Sequence, residues 1–101
     1  MVVIEDFADK KTLDHFEGRK PHKELPPSLH RRATLLLDSM DAAETLKSFE
    51  SKVPPPSLRI HKLKGNKKGR IAIDIDKVSG WRITFIWKDN LFHDVLIENY
   101  H

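Results

Sequence analysis

The sequence predicts an α+β protein, because its hydrophobic period changes from helical to extended near the middle and does not change back. In the first half apolar residues recur every three or four positions; from Leu58 onward they alternate. Between the halves stands Pro54-Pro55-Pro56, which closes the helical part and reads as an extended connector rather than a polyproline ligand. The later segments are joined by short connections, so they should form a consecutive antiparallel meander. Together these observations predict N-terminal helices packed on one face of a mostly antiparallel sheet, with the other face polar and free to bind.

Taken in order, Met1 to Phe7 contains a Val-Val-Ile run and reads as a short first strand. Asp9 to Glu17 reads as a helix of two or three turns, with Leu13 and Phe16 on its inner side and Gly18 as its stop. Arg19 to Pro27 carries three prolines and is a connection. A longer helix begins near Pro27-Ser28, where Leu29, Ala33, Leu36, Leu37 and Met40 fall on one face. Asp41 followed by Glu44 resembles a capping box opening a further short helix, with Ala43, Leu46 and Phe49 as its stripe.

Leu58 to Lys64 then reads as a strand running into Gly65. Ile71, Ile73 and Ile75 alternate with Ala72, Asp74 and Asp76, and Trp81, Ile83, Phe85 and Trp87 alternate with Arg82, Thr84 and Ile86. A turn at Lys88-Asp89-Asn90 leads into Leu91–Tyr100. Both tryptophans share the isoleucine-facing parity, so they belong to the core and not to a base-stacking surface.

A chain of 101 residues is one domain, 1–101, and its 39% hydrophobic content supports one modest core. With no cysteine, disulfides and thiolate metal sites are excluded. The first residues lack a signal-peptide pattern and no apolar run approaches a membrane span, so the expected location is the cytoplasm, with no membrane contact. Ser51 to Ile73 holds seven cations and no acid, leaving 11 of the 18 cations against all 15 acids elsewhere. A net of +3 therefore hides one concentrated basic segment, which suits a polyanion such as nucleic acid, although a solvated lysine-rich loop has the same composition.

No phosphate loop, nucleophile elbow or zinc-protease motif is present. His15, His22, His30, His61, His93 and His101 lack paired ligand spacing, so neither metal nor cofactor is expected and most of them should be surface residues. RNA cleavage needs no protein nucleophile, because the ribose 2′-hydroxyl attacks the adjacent phosphate. The enzyme supplies proton transfer, for which histidine is suited near neutral pH, and cations that stabilise the charge building on the phosphate. An aromatic ring can stack on a splayed base. His61 and Lys64 lie in the basic segment, Arg82 on the third sheet strand, and Tyr100-His101 after the last one. If those strands are neighbours in the meander, these residues can share one face.

The stretch Leu58-Arg59-Ile60-His61-Lys62-Leu63-Lys64-Gly65-Asn66-Lys67-Lys68-Gly69 resembles the core segment of HigB-type toxins. Trp81-Arg82-Ile83-Thr84-Phe85, Asp94-Val95 and Tyr100-His101 resemble the rest of that pattern, and Leu25 to Met40 fits its helical part. The resemblance implies a RelE-like fold and a toxin that cuts messenger RNA on the ribosome. It also implies a HigA-type helix-turn-helix antitoxin as partner, which alone would contact operator DNA. By matched position, it implies that His61, Lys64, Tyr100 and His101 are catalytic and that Arg82 contacts phosphate. Lys62, Lys67, Lys68 and Arg70 would add RNA contacts from the basic segment. Asn99 stands where the family usually has an acid, an aromatic is common where Ile71 stands, and the turn Lys77–Gly80 is slightly long. His101 ends the sequence, so its α-carboxylate is an expected neighbour that favours the imidazolium and suits it to protonate the leaving oxygen. The same fold would also serve a ParE-like gyrase inhibitor without nuclease activity, and the basic segment alone would serve a non-catalytic RNA-binding module.

Overall fold

The computed structural model describes residues 4–42, 60–62 and 69–99, with 60–62 described by backbone alone. Two helices, α1 (Lys10–Glu17) and α2 (Pro27–Ala42), precede four strands, β1 (Ile60–Lys62), β2 (Ile71–Asp76), β3 (Trp81–Lys88) and β4 (Leu91–Asn99). The strands form one antiparallel sheet in the order β1-β2-β3-β4, as a meander requires.

Local chemistry sets the helix limits. Asp9, extended at φ −144°, accepts a hydrogen bond from Thr12 N–H at 2.8 Å and so caps α1. Gly18 ends it in the left-handed region at φ 77°, where a Cβ would be strained, and Arg19 N–H bonds back to Asp14 at 3.0 Å. Pro27 opens α2, where a missing N–H costs nothing. The helix runs through Asp41 to Ala42, and the Asp41 carboxylate accepts from the Ile4 N–H at 3.4 Å. The helix expected after it lies outside the described residues.

Leu25, Ala33, Leu36, Leu37 and Met40 bury against Ile73, Ile75, Ile83, Phe85, Phe92, Val95 and Ile97 in one core. Trp81 and Trp87 pack against its margin, as their parity predicts. The inner side of α1 differs from expectation: Thr12, Asp14 and His15 are buried, while Leu13 and Phe16 are only half-buried. His15 and His22, expected on the surface, are 6% and 4% exposed. Hydrogen bonding explains His15, since His22 N–H donates to its Nδ1 at 3.0 Å and Nε2 lies 3.1 Å from the Thr34 hydroxyl. With Nδ1 accepting, the neutral ring carries its proton on Nε2.

Of the expected first strand, residues 4–7 are described, and they make two isolated parallel bridges to the outer edge of β4, Ile4 to Phe92 and Phe7 to Val95. Glu5 N–H donates to Phe92 at 2.8 Å and Ala8 N–H to Val95 at 2.9 Å, which satisfies part of that edge. The β3–β4 loop is the two-residue pair Asp89-Asn90, both at positive φ (54° and 60°), the pattern of a type I′ turn.

Beyond that turn the pairing shifts. Trp87 faces Phe92 and Ile86 faces His93, but Thr84 faces Leu96 and Arg82 faces Glu98. The extra residue falls at Asp94, which adopts φ 49° and forms a bulge. Asp6 stabilises this conformation by accepting from the Asp94 N–H. A sheet without the bulge would set Ile97 opposite Arg82; with it, Ile97 enters the core and Glu98 takes the polar face.

Candidate active site

On the face away from the helices, two cross-strand rows define the candidate site. In one, Asp74 on β2, Arg82 on β3 and Glu98 on β4 stand opposite one another. The other runs through the backbone positions of His61, Ala72, Thr84 and Leu96. Successive rows two residues apart share a face, so the His61 position and Arg82 lie on the same side of the sheet.

That face is not open, contrary to the sequence-based expectation. Ala72, Asp74, Arg82 and Thr84 are all at most 9% exposed, because charged side chains and their partners lie across it. Arg82 Nη2 is 3.6 Å from Glu98 Oε1, with both side chains nearly buried. The Thr84 hydroxyl donates to Glu98 Oε2 at 2.8 Å and accepts from Arg70 Nε and Nη2 at 3.2 and 3.1 Å. Arg70 Nη2 also donates to the carbonyl of Asp94 at the bulge. A connected path therefore runs from Asp94 through Arg70, Thr84 and Glu98 to Arg82.

The end of β4 is tied down separately. Asn99 pairs with Trp81, and its amide Nδ2 donates to the Ser79 carbonyl at 3.0 Å. Because the partner is a carbonyl, only the NH₂ end of the amide fits there. Ser79 in turn donates its hydroxyl to Asp76 Oδ2 at 2.6 Å, which holds the Asp76 carboxyl below its ordinary pKa. Gly80, at φ 85°, completes this four-residue turn and donates to the Asp76 carbonyl at 3.0 Å. The turn Lys77–Gly80 thus fastens the strand that leads into Tyr100-His101.

The structure brings Arg70 and Arg82 to one face, together with the backbone position of His61 on β1, whereas the Lys62 position falls in the row of Ile71 and Phe85 on the other side. Lys64, Lys67, Lys68, Tyr100 and His101 lie outside the described residues. β1 and β4 are not neighbours: β2 and β3 separate them, about 14 Å at ordinary strand spacing. Groups from the two strands reach a common phosphate only across the face that Arg70 and Arg82 occupy. Glu98 and Thr84 were not singled out from the sequence. Strand alternation placed Thr84 on Arg82's parity, but the bulge that turns Glu98 toward Arg82 leaves no clear sequence mark.

At the end of β4, a polar cavity of about 620 Å³ is lined by Asp9, Lys11, His22, Glu24 and Trp81 and reaches Glu98. Burial holds the imidazoles of His15 and His22 below their ordinary pKa. Among the described residues no three metal-ligating side chains cluster, and no helix is long and apolar enough to cross a membrane.

Comparison with known proteins agrees with this architecture. The family of RelE-like toxins of the type II toxin–antitoxin system HigB matches over residues 5–101. Toxin HigB-1 of Vibrio cholerae serotype O1 is 30% identical over 86 residues, spanning 85% of each chain. With two helices laid on an antiparallel meander and a match across nearly its whole length, the chain belongs to the HigB-like family of RelE-like toxins.

Proposed function

We propose that this type II toxin is a messenger-RNA endoribonuclease that acts on the translating ribosome, in the cytoplasm, without a metal. The whole chain, 1–101, works as one toxin domain. Its antitoxin is of the helix-turn-helix HigA type, and operator DNA is met only through that partner. The observation that carries the reading is the shared face: the register sets the His61 position beside a row of charged side chains that includes Arg82, with Arg70 over Thr84.

In this mechanism the ribose 2′-oxygen attacks the neighbouring phosphorus as its proton is withdrawn. The 5′-oxygen leaves with a proton supplied from the protein, and a 2′,3′-cyclic phosphate forms. His61 and Lys64 serve the attacking end, and His101 protonates the leaving oxygen, with Tyr100 placed to stack on a base. Lys62, Lys67, Lys68 and Arg70 draw the strand onto the sheet, and Arg82 offsets the carboxylates of its row, which would otherwise repel it. Lysine, with an unperturbed pKa near 10.4, is a poor base at neutral pH. The ribosome compensates by holding the messenger in line for attack, and positioning alone supplies several kcal/mol.

Primer extension on cellular transcripts after brief induction tests this. New 5′ ends in frame with codons are expected in minutes. DNA breaks without new RNA ends would instead establish a gyrase inhibitor, and neither product would leave only a binding module. Efficient cutting of naked, unstructured RNA by the purified protein would remove the ribosome from the mechanism.

A further inference from the structure

We infer that the two arginines of the polar face do different work: Arg70 receives a phosphodiester of the nucleic acid, and Arg82 is an internal counter-ion of the sheet. This rests on the nuclease reading for the identity of the substrate, but its geometry is independent of catalysis.

Arg82 sits in the row between Asp74 and Glu98 and is 9% exposed. Its Nη2 lies 3.6 Å from a Glu98 carboxylate that is itself almost buried. A phosphate would have to displace that carboxylate and strip a nearly buried site of its balance, which is costly when one partner of a buried pair is lost. Arg82 is thus already answered by protein charge.

Arg70 is held differently. It is half-buried, and its acceptors are neutral: the Thr84 hydroxyl, bonded by both Nε and Nη2, and the Asp94 carbonyl. No carboxylate pairs with it among the described residues. Those bonds use the Nε–H and both Nη2 hydrogens, leaving the two N–H groups of Nη1 without a protein acceptor among the described residues. The acceptors are themselves fixed. Thr84 gives its own proton to Glu98, so its lone pairs face Arg70, and the Asp94 carbonyl is presented by a bulge that Asp6 holds.

A guanidinium clamped along one edge with its other nitrogen open is pre-organised for an anion, and less rotamer entropy is lost on binding. Its place over Thr84 puts it on the row that continues through Ala72 to the His61 position. A phosphate there would lie on the catalytic side of the sheet. Glu98 thereby serves both arginines at once, holding Arg82 by charge and Arg70 through Thr84.

The experiment uses the full toxin and a short all-2′-deoxy oligonucleotide, which binds like the messenger but offers no 2′-hydroxyl to cut. Binding is followed by fluorescence anisotropy across a salt series and by the Nε–Hε resonances of the two arginines. Arg70→Gln should weaken binding about tenfold and flatten the slope of log K against log salt by about 0.7, one single-strand phosphate. It should leave the melting temperature within a few degrees. Arg82→Gln should lower the melting temperature and keep the wild-type slope. If that variant does not fold, the wild-type spectra decide: the Arg70 Nε resonance should move on titration and that of Arg82 should not. A slope that flattens for Arg82→Gln alone, a shift confined to Arg82, or no binding by the wild type overturns the proposal. Binding through Arg70 in a toxin that produces no new RNA ends would keep the phosphate site and remove the nuclease reading.

Discussion

Acidifying the wild-type protein from pH 7.5 to 5.5 should remove a substantial share of its stability, through two buried imidazoles. His15 and His22 both have pKa values lowered by burial, so the folded state holds them neutral where the unfolded chain begins to protonate. The unfolded state then binds more protons, and stability falls with falling pH. The contribution is intact above the unfolded histidine pKa, near 6.5, and is lost as pH drops below it toward the folded values. An imidazole that stayed wholly neutral in the fold over that interval would cost about 1.4 kcal/mol, so about 2.7 kcal/mol is the ceiling for the pair. Against a total of roughly 5–15 kcal/mol this is easily measured. The carboxylates whose pKa values are lowered, Asp6, Glu24 and Asp76, give up their contributions only at lower pH, outside the window. Urea unfolding followed by circular dichroism at the two pH values reads the loss directly. His22→Phe separates the pair: it keeps the ring contact with Trp81, 6.0 Å away in an edge arrangement, and removes a buried Nδ1 that has no hydrogen-bond partner among the described residues. That variant should lose clearly less than the wild type over the same interval, because only His15 remains to contribute. It should also gain about 1 kcal/mol at pH 7.5, since an unsatisfied buried atom is gone. A wild type whose stability does not fall over the interval, or a His22→Phe protein that loses as much as wild type, would refute the reasoning.

His61→Ala and Lys64→Ala should each abolish growth arrest while circular dichroism shows a folded protein, with rate losses of roughly 10²–10⁴ and 10²–10³; undiminished killing by both variants removes them from the site. Glu98→Gln keeps an acceptor for Thr84 but leaves Arg82 with less counter-charge, so a loss of about 2 kcal/mol, roughly 8–16 °C in melting temperature, is expected by thermal denaturation. Asn99→Asp restores the acid common in the family but sets a carboxylate against the Ser79 carbonyl, and urea unfolding should show a loss of about 1 kcal/mol. Deleting Asp94 takes out the extra residue and keeps the Ile83–Ile97 and Arg82–Glu98 pairs, so circular dichroism should show a folded protein, and Asp94→Gly should fold too because glycine accepts φ 49° freely.

What could be read from the sequence was the part governed by local rules. The α2 stripe from Leu29 to Met40, the Gly18 stop and the alternation along β2 and β3 each follow from residue type and spacing, and the structure has them. The failures share another cause, which is partnership across distance. His15 looked like a surface residue because its hydrogen bonds to His22 and Thr34 depend on how the α1–α2 connection folds back. The polar face looked open because alternation says which side a residue takes and not what covers it. The frame of β4 was illegible beyond Asp94, since a bulge exchanges the two faces of every later residue and an aspartate does not announce one. Of the residues in the candidate site, Arg70 and Arg82 are named by the sequence reading, while Glu98, which connects them, is not.

The parallel pairing of Ile4 and Phe7 with β4 has a consequence for the order in which the molecule is assembled. β4 is the last described strand to be synthesised, and it supplies Phe92, Val95 and Ile97 to the core. Ile4 and Phe7 cannot find their partner until β4 has been made, so the helices and β1 to β3 wait with an incomplete core. Such a topology delays folding until β4 is available, because distant contacts must close together. For a protein proposed to attack translating ribosomes, this delay is useful: the growing chain cannot present its finished sheet to the ribosome that is making it. It also leaves an interval in which an antitoxin already present can meet the toxin as it folds.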